Sequence, residues 1–169
     1  MFIGEEISLQ DMLDCRDMRV ELQKYYCKKF NRPVISFCMN IPGPIKTTSQ
    51  ICSAFELGCQ EIKAILTKET IACLASTTWH KPTGDELILC INENADYLKM
   101  LMTQIEDQHP LGRLFDIDVL DHKGHKISRP FFRKCLICQS QAQECARNRK
   151  HSIIDMQNKI EYFFNKEGI

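Results

Sequence analysis

"LFDIDVL", residues 114–120, is the stretch on which the fold turns. Five of its seven side chains are apolar, as in a buried strand, yet Asp116 and Asp118 stand among them. Two like charges inside a core would be costly. Strand geometry removes the conflict, because successive side chains point to opposite faces. Phe115, Ile117 and Val119 therefore share one face and pack beneath helices. Asp116 and Asp118 share the other, and project from the open side of the sheet.

Working outward, the segment before this strand is a helix capped by Asn94, with Tyr97, Leu98, Leu101 and Ile105 on one side, ending before Pro110. Residues 70–79 and 86–91 read as a hairpin turned at Lys81-Pro82-Thr83-Gly84. A helix over about 48–67 carries Ile51, Phe55, Cys59, Ile62 and Leu66 at helical spacing. Residues 34–41 form a buried strand stopped by Pro42-Gly43-Pro44. Ahead of it, a helix starts at Ser8 and runs to about Lys28, with Leu9, Met12, Cys15, Leu22 and Tyr25 as its apolar stripe. Downstream, Lys123-Gly124 turns the chain into a short partner strand, 125–129. After a cysteine-rich segment, 135–151, a last helix spans 152–165 with Ile153, Met156, Ile160 and Phe163. Without the ends, the order is strand–helix–strand–strand–helix–strand. This predicts an α+β fold of the split βαβ, ferredoxin-like kind: an antiparallel-rich sheet with helices on one face and added terminal helices.

The 169 residues, 44% hydrophobic and 26% charged, suit a single domain over 1–169. The 22 basic and 22 acidic side chains cancel, which argues against nucleic acid or a membrane surface as the partner. No run is long and apolar enough for a membrane span, and the acidic start MFIGEEISLQ is no signal peptide. Ten cysteines without such a signal point to reduced thiols in a cytoplasm.

Carboxylates two apart on a strand face lie about 6.5–7 Å apart at Cα and repel unless a cation sits between them. Oxygen ligands of this kind suit Mg²⁺ together with substrate phosphates; an exposed face of solvated acids is the plainer alternative. In a split βαβ sheet the last strand lies antiparallel beside the first. That juxtaposition would bring Gly43, Lys46 and the hydroxyls of Thr47, Thr48 and Ser49 towards His109, Gly112 and Arg113. A glycine-containing loop entering a helix, with Lys and Arg beside it, is a natural polyphosphate site.

Several blocks also resemble a known family. "RDMRVELQ" (16–23), "NIPGPIK" (40–46), "HPLGRLFDIDVL" (109–120), "SR" (128–129) and "CLICQSQAQECARNRKH" (135–151) look like the apo-citrate lyase phosphoribosyl-dephospho-CoA transferases, in the same order and over most of the chain. The resemblance implies a nucleotidyltransferase palm-like sheet and a defined reaction. In it, 2'-(5''-triphosphoribosyl)-3'-dephospho-CoA donates its phosphoribosyl-dephospho-CoA group to a serine of the citrate lyase acyl carrier (gamma) subunit, releasing diphosphate. It further implies that Asp116 and Asp118 hold Mg²⁺ on the triphosphate while Lys46 and Arg113 neutralise phosphate oxygens. Asp118, Glu93 and His109 are open candidates for the base; Asp121 faces away from the pair.

Cys135, Cys138, Cys145 and His151 give C-x2-C-x6-C-x5-H, donors that fit a structural Zn²⁺. A reduced cysteine cluster at helical spacing is the alternative, and the other seven cysteines read as small core residues. Arg147, Arg149 and Lys150 form either a solvated face or a dock for an acidic carrier. Two rival functions stand beside the transferase: the equivalent enzyme for another carrier, such as that of malonate decarboxylase, and a zinc-stabilised interaction module without catalysis.

Overall fold

The structure is a computed structural model that describes residues 2–138 and 140–169. Helix α1 (Leu9–Phe30) begins with a reciprocal cap: the Ser8 hydroxyl accepts from the Asp11 amide, and the Asp11 carboxylate accepts from the Ser8 amide. It ends at Asn31 in the left-handed region, φ 52°. Strand β1 (Val34–Met39) leads through the 40–48 loop into α2 (Ser49–Lys68), capped by Thr48. Strands β2 (Cys73–Lys81) and β3 (Gly84–Ile91) form the hairpin. Helix α3 (Ala95–Gln108) is capped by Asn94, whose Oδ1 accepts from the amides of Asp96 and Tyr97. A 3-10 turn, Gly112–Leu114, delivers the chain into β4 (Phe115–Leu120). A short α4 (Ala142–Arg147) and α5 (Ile153–Glu167, capped by Ser152) complete the described chain.

The sheet order is β2-β3-β1-β4, antiparallel throughout, so the last strand does lie beside the first. This is the split βαβ sheet expected from the element order. Phe115, Ile117 and Val119 are fully buried under α2 and α3, in the core that also takes Ile160 and Phe164 of α5. Phe37 stacks on Phe55 at 5.0 Å and meets Phe115 edge-on at 5.3 Å, centroid to centroid.

The opposite face is not wholly open. Helix α1 lies across half of it, with Tyr26 and Cys27 buried against Val34, Ile88 and Cys90. This docking corrects the expected stripe of α1: Cys15, Leu22, Tyr26 and Cys27 face the sheet, while Leu9 and Tyr25 point to solvent. What remains uncovered is the end of the face carrying Asp116 and Asp118.

Two further expectations are corrected. Residues 125–129 form no strand; a single bridge, Leu120 to Lys126, and the Ile127 amide on the Val119 carbonyl are the backbone pairing they make with β4. Asp121 accepts from the amides of Lys123 and His125, so the turn folds back on itself, and Pro130 ends any ladder. The edge of β4 is closed instead by side chains of α3. The Lys99 ammonium donates to the Ile117 carbonyl at 2.8 Å, and the Glu106 carboxylate accepts from the Ile117 amide at 3.0 Å. Nor are all of the remaining cysteines core residues: Cys73 is exposed at the start of the edge strand β2.

Candidate active site

Sheet register builds the site. Cys38 pairs with Glu86 of β3 on one side and Asp116 of β4 on the other, and Ser36 pairs with Asp118. Glu86, Cys38 and Asp116 thus form a row across the sheet face, from beneath α1 to the end that α1 leaves free. Arg19 of α1 grips Glu86 with both ends of its guanidinium: Nε donates to Oε2 at 2.7 Å and Nη2 to Oε1 at 2.6 Å. The Cys15 thiol adds a hydrogen bond to the same carboxylate at 3.2 Å. Burial pushes the Cys38 thiol up to about 12, and Asp116 adds to the rise, so Cys38 stays a neutral thiol.

Asp116 and Asp118 open into a cavity of about 540 Å³. Four cations face it, Lys99, Lys126, Arg129 and Arg133, with Glu106 as the third acid. Lys126 reaches Asp118 at 2.6 Å; its side chain is 61% exposed, so the contact is easily exchanged for a ligand. Arg129 and Arg133 each stand 3.7 Å from the buried Glu106 carboxylate, and Arg129 also pairs with Asp107. Burial raises the pKa of Asp116, and the neighbouring Asp118 charge raises it further. Two crowded carboxylates with four cations around them make a strongly charged cavity, able to take an anionic group against the cations.

The other expected site residues are not among those that line this cavity. His109 lies on the helix side: its Nδ1 accepts from the Leu111 amide at 3.0 Å, and its ring packs 4.9 Å from Phe115. Gly112 is buried against the end of α3, where a Cβ would lie 2.5 Å from the Glu106 carbonyl oxygen, so it serves packing. Gly43 adopts φ +91° beneath α5, where a Cβ would meet Gln157 and Ile153 at 3.0 and 3.1 Å. The Lys46 ammonium donates to the Ile41 carbonyl at 2.7 Å and fixes its own loop. Burial lowers its pKa. Arg113 opens into a neighbouring cavity, where burial and the nearby Arg133 and Arg129 charges lower its pKa. Lys46 is thus held by its own loop, while Arg113 lines the adjoining cavity.

Sequence reasoning missed Arg19, Glu86, Lys99, Glu106, Lys126 and Arg133. Glu86 had a visible signal, a charged residue in the apolar run "ELILCI", and Arg19 lies within "RDMRVELQ". The "SR" pair contained Arg129 without suggesting its place.

The cysteine segment does assemble. Donor atoms of Cys135, Cys138, Cys145 and His151 all lie within 4.8 Å of one another. The sulfurs of Cys138 and Cys145 are 3.5 Å apart, and His151 Nε2 is 3.3 Å from Cys138 Sγ. Hydrogen bonds from Ser140, and then from His151, bring the Cys138 thiol down to about 6. Tetrahedral Zn²⁺ with bonds of about 2.3 Å would set its sulfurs about 3.8 Å apart, so the cluster is a possible metal site close to the required size. Cys138 itself lies outside α4, so the four come together by loop folding rather than helical spacing.

An α+β sheet that gathers acids and cations at one end of an edge strand is an enzyme's arrangement, and sequence comparison supplies the class, a transferase. The profile described as apo-citrate lyase phosphoribosyl-dephospho-CoA transferase matches residues 7–167, and the chain belongs to that family. It is 36% identical over 160 residues to a probable apo-citrate lyase phosphoribosyl-dephospho-CoA transferase of Vibrio cholerae, covering 92% of this chain and 90% of the relative. The Escherichia coli O1:K1 / APEC enzyme of the same name is 34% identical over 163 residues, covering 94% and 89%. A probable member from Streptococcus pyogenes serotype M5 is 36% identical over 179 residues, covering 99% and 92%. No helix among the described residues is long and apolar enough to cross a membrane.

Proposed function

We propose that this chain transfers the phosphoribosyl-dephospho-CoA group of 2'-(5''-triphosphoribosyl)-3'-dephospho-CoA to a serine of the citrate lyase acyl carrier (gamma) subunit. The relatives' names give the transferred group and apo-citrate lyase, which favours citrate lyase over another enzyme's carrier. The observation that carries the chemistry is the cavity in which Asp116 and Asp118 face Lys126, Arg129 and Arg133.

In this reading the serine Oγ bonds to the α-phosphorus, the bond from that phosphorus to the bridging oxygen breaks, and diphosphate leaves. Lys126, Arg129 and Arg133 meet the phosphate charge, as preorganised cations stabilise charge that grows in the transition state. Asp116 and Asp118 would hold Mg²⁺, which when bound neutralises phosphate oxygens and favours diphosphate as leaving group. Glu93 lies beyond the far end of β3 and lines a different cavity, and His109 lies on the helix side. Of the three base candidates Asp118 remains, and we assign it the serine proton.

Cys135, Cys138, Cys145 and His151 would hold a structural Zn²⁺ that fixes the 135–151 segment as part of one transferase domain. A reducing cytoplasmic setting follows from this reading, since it keeps the thiols free. Diphosphate release tests the reaction. It is expected only when donor, Mg²⁺ and apo-carrier are all present. Release independent of the carrier, or none at all with citrate lyase carrier, would overturn the reading.

A further inference from the structure

A second cavity, of about 770 Å³, adjoins the carboxylate cavity. Asn40, Arg133, Ala142 and Ala146 line both, so Arg133 and one side of α4 form the saddle between them. Its walls are of two kinds. Pro42, Leu136, Ile153 and Met156 offer an apolar trough, and Arg113 and Arg149 bring cationic groups to it. Neither guanidinium has an ion-pair partner among the described residues, and Arg113 feels the like charges of Arg133 and Arg129 more strongly than the Asp107 carboxylate. Unpaired arginines beside an apolar trough are a site for a ligand with both a phosphate group and an apolar arm.

We propose that this second cavity holds the dephospho-CoA portion of the donor, while the carboxylate cavity takes its polyphosphate end. The inference rests on the transferase reading above and deepens it. The donor's chemistry divides in the same way as the walls. Its nucleoside diphosphate needs cations, which Arg113 and Arg149 supply, and its amide arm needs the trough of Leu136, Ile153 and Met156. Its reacting phosphates must lie across the saddle, where Arg133 reaches both cavities. The cysteine–histidine cluster has a place in this arrangement, because Cys135, Cys145 and His151 form part of the second cavity's wall. A metal there would hold the wall in shape.

Dephospho-CoA itself is the probe, titrated calorimetrically into the full chain and used as a competitor against donor. The wild type is expected to bind it, with inhibition competitive towards donor. Arg113→Met and Met156→Trp are each expected to weaken that binding at least tenfold. Binding of inorganic triphosphate with Mg²⁺ should change less than twofold in Met156→Trp, since Met156 lines only the second cavity. If Met156→Trp melts early, Arg113→Met alone decides. Wild-type dephospho-CoA affinity in the variants, or no binding to a wild type that still modifies the carrier, would overturn the cavity assignment and leave the transferase reading intact. Dephospho-CoA bound by a wild type that never modifies the carrier would overturn the transferase reading, and with it the identification of this ligand as part of the donor.

Discussion

At the scale of single residues, Asp116 shows how a site can be costly to its own fold. Its carboxyl has a pKa raised above the ordinary 3.8, first by burial and then by Asp118. The folded protein therefore binds a proton that the unfolded chain has released, in the window between 3.8 and the raised value. Stability falls as pH rises through that window, and the full penalty stands above it. Asp116→Asn should raise the melting temperature near neutral pH, or at least keep it. The gain should shrink to nothing as pH falls below the ordinary aspartate value. A loss of melting temperature at pH 7 would mean that the carboxylate has a stabilising partner instead. Gly112 offers the contrasting case. Its Cβ position is filled by the backbone of Glu106 and Ile105. Gly112→Ala should cost about 1–3 kcal/mol of stability by overpacking, measured by denaturant unfolding. A phosphate-binding glycine would lose donor affinity with stability unchanged, which would contradict the placement.

At the scale of elements, the periodicities were the legible part. Alternation in β4 predicted which side chains share its buried face, and Ser8, Asn94 and Ser152 each start the helix assigned to them. The stripe of α1 was less legible, because Arg19 and Gln23 sit on its buried side for reasons only Glu86 and the sheet reveal. The 125–129 segment looked like a strand, but a ladder needs a free edge, and α3 closes that edge through Lys99 and Glu106. Lys46 and Arg113 were expected together because their loops are adjacent. Adjacency does not fix direction, and a carbonyl five residues back captures Lys46. The cysteine segment was legible as a ligand set and opaque as a shape. Purified protein should carry about one equivalent of zinc, and Cys138→Ser should lose it together with thermal stability. Metal-free protein whose melting ignores chelators would support the reduced-thiol alternative.

Over the whole molecule, function comes from where the elements leave gaps. Helix α1 covers one half of a sheet face, and residues 126–133 and 141–146 help wall the other half into a cavity with Asp116 and Asp118 on its floor. The side chains of Lys126, Arg129 and Arg133 were not read from the sequence as facing the acids, so the cationic side of the site became visible only with the fold. The central claim is that this carboxylate cavity performs the transfer. Its most direct test is the intact mass of the citrate lyase carrier after incubation with donor, saturating Mg²⁺ and either the parent enzyme, Asp116→Asn or Asp118→Asn. The account predicts a carrier heavier by one phosphoribosyl-dephospho-CoA group with the parent. With either variant the rate should fall by about a hundredfold or more, although both remain folded. Modification at near the parent rate by either variant would contradict it.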